Sequence, residues 1–180
     1  PTGLIANPGR KTGIRDEVGA LGELVDKWKQ QAYGSPLNNY IVRRRVTTPR
    51  GVQLTYPGVG AREGADPTLS PMFRTASMSP DLVSLSPPHL DSLGAGYIVT
   101  MASVVTSSLD SPAAVIEADF TQGYFHKIVN DSLYGDLCHH QNNTCFLMDH
   151  QGFLLTHPRL TYRDSKLSGL SVHLTHLEPG

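Results

Sequence analysis

Two cysteines and two histidines are the residues whose types and spacing most directly suggest chemistry. Cys138 and Cys145 bracket the short polar loop HHQNNT, with His139 and His140 directly after the first thiol. Three states are open to them: a disulfide, a pair of free thiols, or a metal site shared with the histidines. A disulfide across so short a loop needs only a turn that brings the Cα atoms within about 4.4–6.8 Å. Adjacent side chains on an extended segment point apart, and the spacing matches none of the common zinc patterns, which puts the disulfide first. Two Asn-x-Ser/Thr sequons fit the same oxidising compartment: Asn130-Asp131-Ser132 and Asn142-Asn143-Thr144. Asn130 and Asn142 are therefore glycosylation candidates.

Catalytic constellations are missing from the chain. There is no Gly-x-Ser-x-Gly elbow, no His-Glu-x-x-His and no Gly-rich phosphate loop with a lysine. The eight histidines are scattered, and the acid–histidine pair Asp149-His150 falls in a turn sequence. The chain thus reads as non-enzymatic, with no catalytic residues, no metal and no cofactor. A net charge of −1 supplies no field that would favour nucleic acid or an anionic membrane. The run Arg43-Arg44-Arg45 suggests an acidic partner such as heparin. On a strand, however, Arg44 points away from its two neighbours, and a solvated face or edge guard is the preferred reading.

The elements that must position these residues follow from periodicity. Residues 1–14 are punctuated by Gly and Pro and read as a linker or arm. Residues 15–33 repeat Val18, Leu21, Leu24, Val25 and Trp28 at helical spacing, with Trp28 as a core anchor. Strands are expected over 40–48 and 51–56 around Pro49-Arg50-Gly51. Pro57–Pro80 reads as loop, and Val83–Ser86 as a short strand. The apolar runs on either side of SSLDSP form a long antiparallel hairpin. A helix follows from Gln122 to Tyr134, then a second hairpin around His150-Gln151-Gly152. Leu170–Thr175 alternates and is a candidate last strand.

The whole is an α+β, PAS-like antiparallel sheet with flanking helices. The domain spans 15–177, its sheet core 40–177, and 178–180 is a truncated end. The apolar share of 39% is enough for a sizeable core. No apolar run reaches the roughly 20 residues of a membrane span. The chain opens on Pro1 without an initiating Met or a signal sequence, and is expected to be a piece of something larger.

The segments GAGYIVTMASVV, AAVIEADFT and CFLMDHQGFLLTHP resemble the Cache domain, an extracellular relative of PAS. The similar variant is that of animal proteins combining a von Willebrand A domain with Cache domains, the group that holds the alpha-2-delta subunits of voltage-gated calcium channels. The resemblance covers roughly residues 40–177. It implies a binding or structural module on the extracellular side of the plasma membrane, in a membrane-anchored protein. The implied partner is a membrane channel or cell-surface receptor protein.

The alternative that the resemblance implies is a sensing domain for a small amine or amino-acid-like ligand. Amino-acid-sensing Cache domains grip the ligand carboxylate with an Arg and hold its ammonium with acids. In DPTLSPMFRTA, Ser70 stands at the Arg position and Met72-Phe73 at the aromatic pair. His89-Leu90-Asp91 matches a Tyr-x-Asp, and Asp119 in EADF matches the later acid. The implied ligand-binding set is Phe73, His89, Asp91, Tyr97 and Asp119. Without the clamp, an amine lacking a carboxylate suits the set better than an α-amino acid. The competing reading is that Asp91 and Asp119 cap loops or satisfy buried amides.

Overall fold

The computed structural model describes residues 3–5, 13–31, 34–58, 65–108, 111–131, 135–138, 140, 143–160 and 172–177. The chain forms two compact units, Pro1–Ser84 with Met101–Asp119, and Leu85–Thr100 with Phe120–Gly180.

In the first unit, helix α1 (Ile14–Gln31) carries Asp16 and Glu17 in its first turn and Lys29 in its last, which complements the helix dipole. Its apolar stripe buries Leu21 and Trp28 against Val46, Val52 and Leu54, with Val18, Leu24, Val25 and Tyr56 packed around them. The Trp28 and Tyr56 rings lie 6.3 Å apart. Strands β2 (Ile41–Thr47) and β3 (Gln53–Tyr56) pair antiparallel, Arg44 opposite Tyr56 and Thr47 opposite Gln53. Gly51, at φ 88°, supplies the left-handed residue of their turn. Within the stretch read as an arm, β1 (Gly3–Ile5) pairs antiparallel with β3 and forms an edge strand.

The expected loop 57–80 is in part a helix, α2 (Pro71–Met78). Pro71 takes the first helical position, where its missing N–H costs nothing, and the Ser70 hydroxyl accepts the Phe73 amide at 3.1 Å. At eight residues the segment is shorter than the stretch over which helical periodicity can be read, whereas the Ser-Pro capping pair was the usable signal. Its Ala76 packs with Ala102 and Val115 in a second small core.

Strands β4 (Ser84–Leu85), β5 (His89–Leu90), β6 (Tyr97–Thr106) and β7 (Pro112–Thr121) complete a seven-stranded sheet. Its order is β1-β3-β2-β7-β6-β4, with β5 also on β6. β6 and β7 are the expected long hairpin, closed by the Ser107 amide on the Ser111 carbonyl at 2.8 Å. Alternation along β7 buries Val115, Glu117 and Asp119 on one face.

In the second unit, α3 (Gln122–Asp131) buries Phe125, and the Phe120 ring stacks on Tyr124 at 4.8 Å. The expected end of this helix, 132–134, lies outside the described residues. A short helix α4 (Gly135–Cys138) follows. The second hairpin forms as expected but stands as its own two-stranded sheet, β8 (Leu147–Met148) with β9 (Leu154–Thr156). The outer side of β9 is occupied as well: the Leu154 amide bonds to the Val172 carbonyl at 2.9 Å, and Phe153 bridges His173. Leu170 and Ser171 lie outside the described residues. The rest of the expected last strand contracts to that bridge and a 3-10 turn, Leu174–His176.

Candidate functional site: a buried arginine–carboxylate cluster

The pairing of β2 with β7 sets two alternating charge patterns face to face. Arg43 and Arg45 are two residues apart on β2, and Glu117 and Asp119 two apart on β7, so each pair shares a face. Arg43 Nε donates to Asp119 Oδ2 at 2.9 Å, and Arg45 Nη2 to Asp119 Oδ1 at 2.7 Å. Arg45 Nε donates to Glu117 Oε2 at 2.8 Å. Asp119 is 1% exposed, Glu117 3% and Arg43 6%.

This corrects the reading of the arginine run as a solvated face or edge guard. Arg44 does point away, as strand alternation requires, and its guanidinium meets the Asn38 side chain. Arg43 and Arg45 turn inward because β7 supplies the carboxylates that compensate them.

Charge within the cluster is balanced but bonding is not. Glu117 Oε1 is buried with no hydrogen-bond partner among the described residues. Burial pushes the Glu117 pKa up, against the opposing pull of the Arg45 charge and hydrogen bond. Burial also lowers the Arg44 pKa from the usual guanidinium value, with Tyr56 acting the other way.

The remaining sequence candidates divide between the units. Phe73 lies with Asp119 in the first, half-buried against the Ala76, Ala102 and Val115 core. Ser70, expected to stand where amino-acid-sensing domains carry a carboxylate clamp, caps α2. His89, Asp91 and Tyr97 lie in the second. His89 is exposed on β5 opposite Ile98, its Nδ1 3.1 Å from the Pro87 carbonyl. Asp91 is 6% exposed and closes the turn into β6. Its Oδ2 accepts the Ala95 amide at 3.1 Å, and its own amide donates to the Gly96 carbonyl at 2.8 Å. Tyr97 is half-buried on β6 opposite Leu90.

Cys138 and Cys145 are disulfide-bonded, with Cα atoms 5.4 Å apart. The bond occupies both thiols and so removes the metal and free-thiol alternatives for them. Asn130 is half-buried late on α3, and Asn142 lies outside the described residues.

An antiparallel sheet with flanking helices is the architecture of PAS-like Cache domains, and this chain has that fold. A family model described as the CACHD1 central domain matches residues 1–122, and the chain belongs to that family. The VWFA and cache domain-containing protein CG16868 of Drosophila melanogaster is 31% identical over 192 residues, 98% of this chain and 13% of that protein. The chain thus spans about an eighth of that relative's length.

Solved structures agree on the fold. The ligand-binding domain of the Pseudomonas fluorescens chemoreceptor CtaA, in complex with L-isoleucine, matches with a TM-score of 0.56 at 18% identity, over 79% of this chain and 53% of that one. The amino acid chemoreceptor PctB of Pseudomonas aeruginosa PAO1, in complex with L-Gln, matches with a TM-score of 0.56 at 19% identity, over 85% and 58% respectively.

Proposed function

We propose that this Cache domain is a non-enzymatic binding and structural module, held on the extracellular side of the plasma membrane within a membrane-anchored protein. In this reading its partner is a protein, a membrane channel or cell-surface receptor, and the parent modulates voltage-gated calcium channels or engages such receptors. The observation that carries the choice of module over sensor is the state of Asp119. The acid that would hold a ligand's ammonium is buried, and each of its oxygens accepts from an arginine of the same chain. An incoming amine would have to displace a charge-assisted bond already made, which removes most of its gain. Disulfide bonding and the two sequons support the extracellular setting.

Calorimetric titration of the chain with α-amino acids and simple amines tests the reading, and no heat of binding is expected. Micromolar affinity for any of them would replace the module by a sensor. Deleting the domain from the full-length parent should change calcium current in cells that co-express a channel. An unchanged current would remove the channel from the list of partners.

The second reading is a small-ligand sensor built on Phe73, His89, Asp91, Tyr97 and Asp119. It is favoured by the amino acids bound in the chemoreceptor domains that share the fold. An amine without a carboxylate is the ligand it would take, since Ser70 offers no carboxylate clamp.

A further inference from the structure

Strand β6 is covered along one edge and only in part along the other. It runs from Tyr97 to Thr106, with β7 on one side and only the two-residue strands β4 and β5 on the other. The chain on that outer side runs antiparallel to β6: His89 stands opposite Ile98, and the Ser86 amide bonds to the Thr100 carbonyl at 2.9 Å. Counting back from Ser86, the first residue of β4, Ser84, comes no farther than Ala102. Backbone groups alternate sides along a strand, so those of Thr100 that meet this cover share their side with those of Val104 and Thr106. The Ser107 amide, of the other parity, bonds to the Ser111 carbonyl in the β6–β7 turn. Val104 and Thr106 therefore each turn an N–H and a C=O to the outer side, with no strand beside them among the described residues.

We propose that this open end of β6 is a self-association edge, on which a second copy of the chain lays its own β6 antiparallel. The pattern is its own complement. Across a two-fold axis Val104 of one copy meets Thr106 of the other, each pair exchanging both backbone bonds, with Val105 against its counterpart at the centre. Val105 is 39% exposed and Thr106 is exposed, so the strand end is accessible. No charged residue lies between Asp91 and Asp110, so two copies bring no like charges together, and a β-branched pair is favourable at the axis. Proline, one of the residues that guard natural sheet edges, stands on the covered half, where Pro87-Pro88 precede β5. The open half has neither Pro nor Lys. Just before β4 the chain turns off the line of the edge, the Leu82 amide bonding to the Ser79 carbonyl at 3.1 Å. Leu82 and Val83 there are 65% and 58% exposed, apolar surface beside the edge that a second copy would cover.

So short an edge gives a concentration-dependent dimer, and sedimentation equilibrium of the chain from about 5 to about 500 μM reads it. The weight-average mass should climb from monomer towards dimer over that range. Thr106→Pro removes one outward N–H without touching a bond to β7, and Val105→Lys sets two cations against each other across the axis. Each should weaken association roughly tenfold or more at an unchanged melting temperature. Amide hydrogen exchange of wild type needs no variant: Val104 and Thr106 should gain protection at the higher concentration, and Leu54 in β3 should not. A wild type that stays monomeric throughout overturns the proposal. So does association that both variants leave unchanged, or that protects other amides and not these two.

Discussion

At the scale of single residues, Asp119 and Glu117 differ in how completely the fold answers their charge. Asp119 meets a guanidinium at each oxygen, so its removal would leave Arg43 buried without its carboxylate. Asp119→Ala should destabilise the chain by roughly 3–5 kcal/mol, read by urea denaturation, because an uncompensated buried charge costs more than the pair contributes. A loss below about 1 kcal/mol would mean that Arg43 finds water or another acceptor. Glu117 is held on one oxygen only, and burial raises its pKa. The folded state therefore binds more protons than the unfolded chain, whose glutamates titrate near about 4.3. This stabilising contribution is complete below that value and is lost as pH rises through the raised folded pKa. Glu117→Gln does not titrate, so it should gain stability relative to wild type between pH 4 and pH 7 in parallel melts. A relative gain by wild type over that range would reverse the assigned cause.

Among the elements, α2 and the disulfide loop depend on identifiable local devices. Ser70→Ala removes the bond to the Phe73 amide and should cost about 1 kcal/mol, with lower helicity around Pro71–Met78. Ser70→Asp should restore the cap; failure to do so would point to a different role for that hydroxyl. The Cys138–Cys145 bond closes a loop with a sequence separation of 7, for which the chain-entropy model gives roughly 2–3 kcal/mol. Replacing both cysteines by Ser should lower stability by that amount in a secreted preparation. The same melting point in both forms would show that the loop is held by its neighbours instead.

For the whole molecule, the prediction concerns surface and compartment. The described helices include none long and apolar enough to cross a membrane. If the domain is displayed outside the cell, peptide mapping after glycosidase treatment should find conversion at Asn142 ahead of Asn130. Asn142 sits between the bonded cysteines, while Asn130 is half-buried on a helix, and transfer needs an accessible, locally flexible backbone. Occupancy at Asn130 alone would invert that order, and sugar at neither site in a secreting host would count against an extracellular setting.

Much of this protein was legible without tertiary information, because the physics is local. The stripe Val18–Trp28 specified α1, alternation with a turn specified β2–β3 and β6–β7, and a short Cys-bracketed loop specified the disulfide. Strand parity alone also put Arg43 and Arg45 on one face. Which strand lies beside which is another matter. The cluster joins residues 72 to 76 positions apart, and no local pattern determines that β7 is the neighbour of β2. Only that pairing turned an arginine run that reads as solvated surface into a buried site, because a guanidinium stays in water unless the fold brings a carboxylate to meet it. The same holds for β8–β9: its turn chemistry was local, but the approach of Val172 and His173 to the outer side of β9 is a tertiary contact that no local pattern determines.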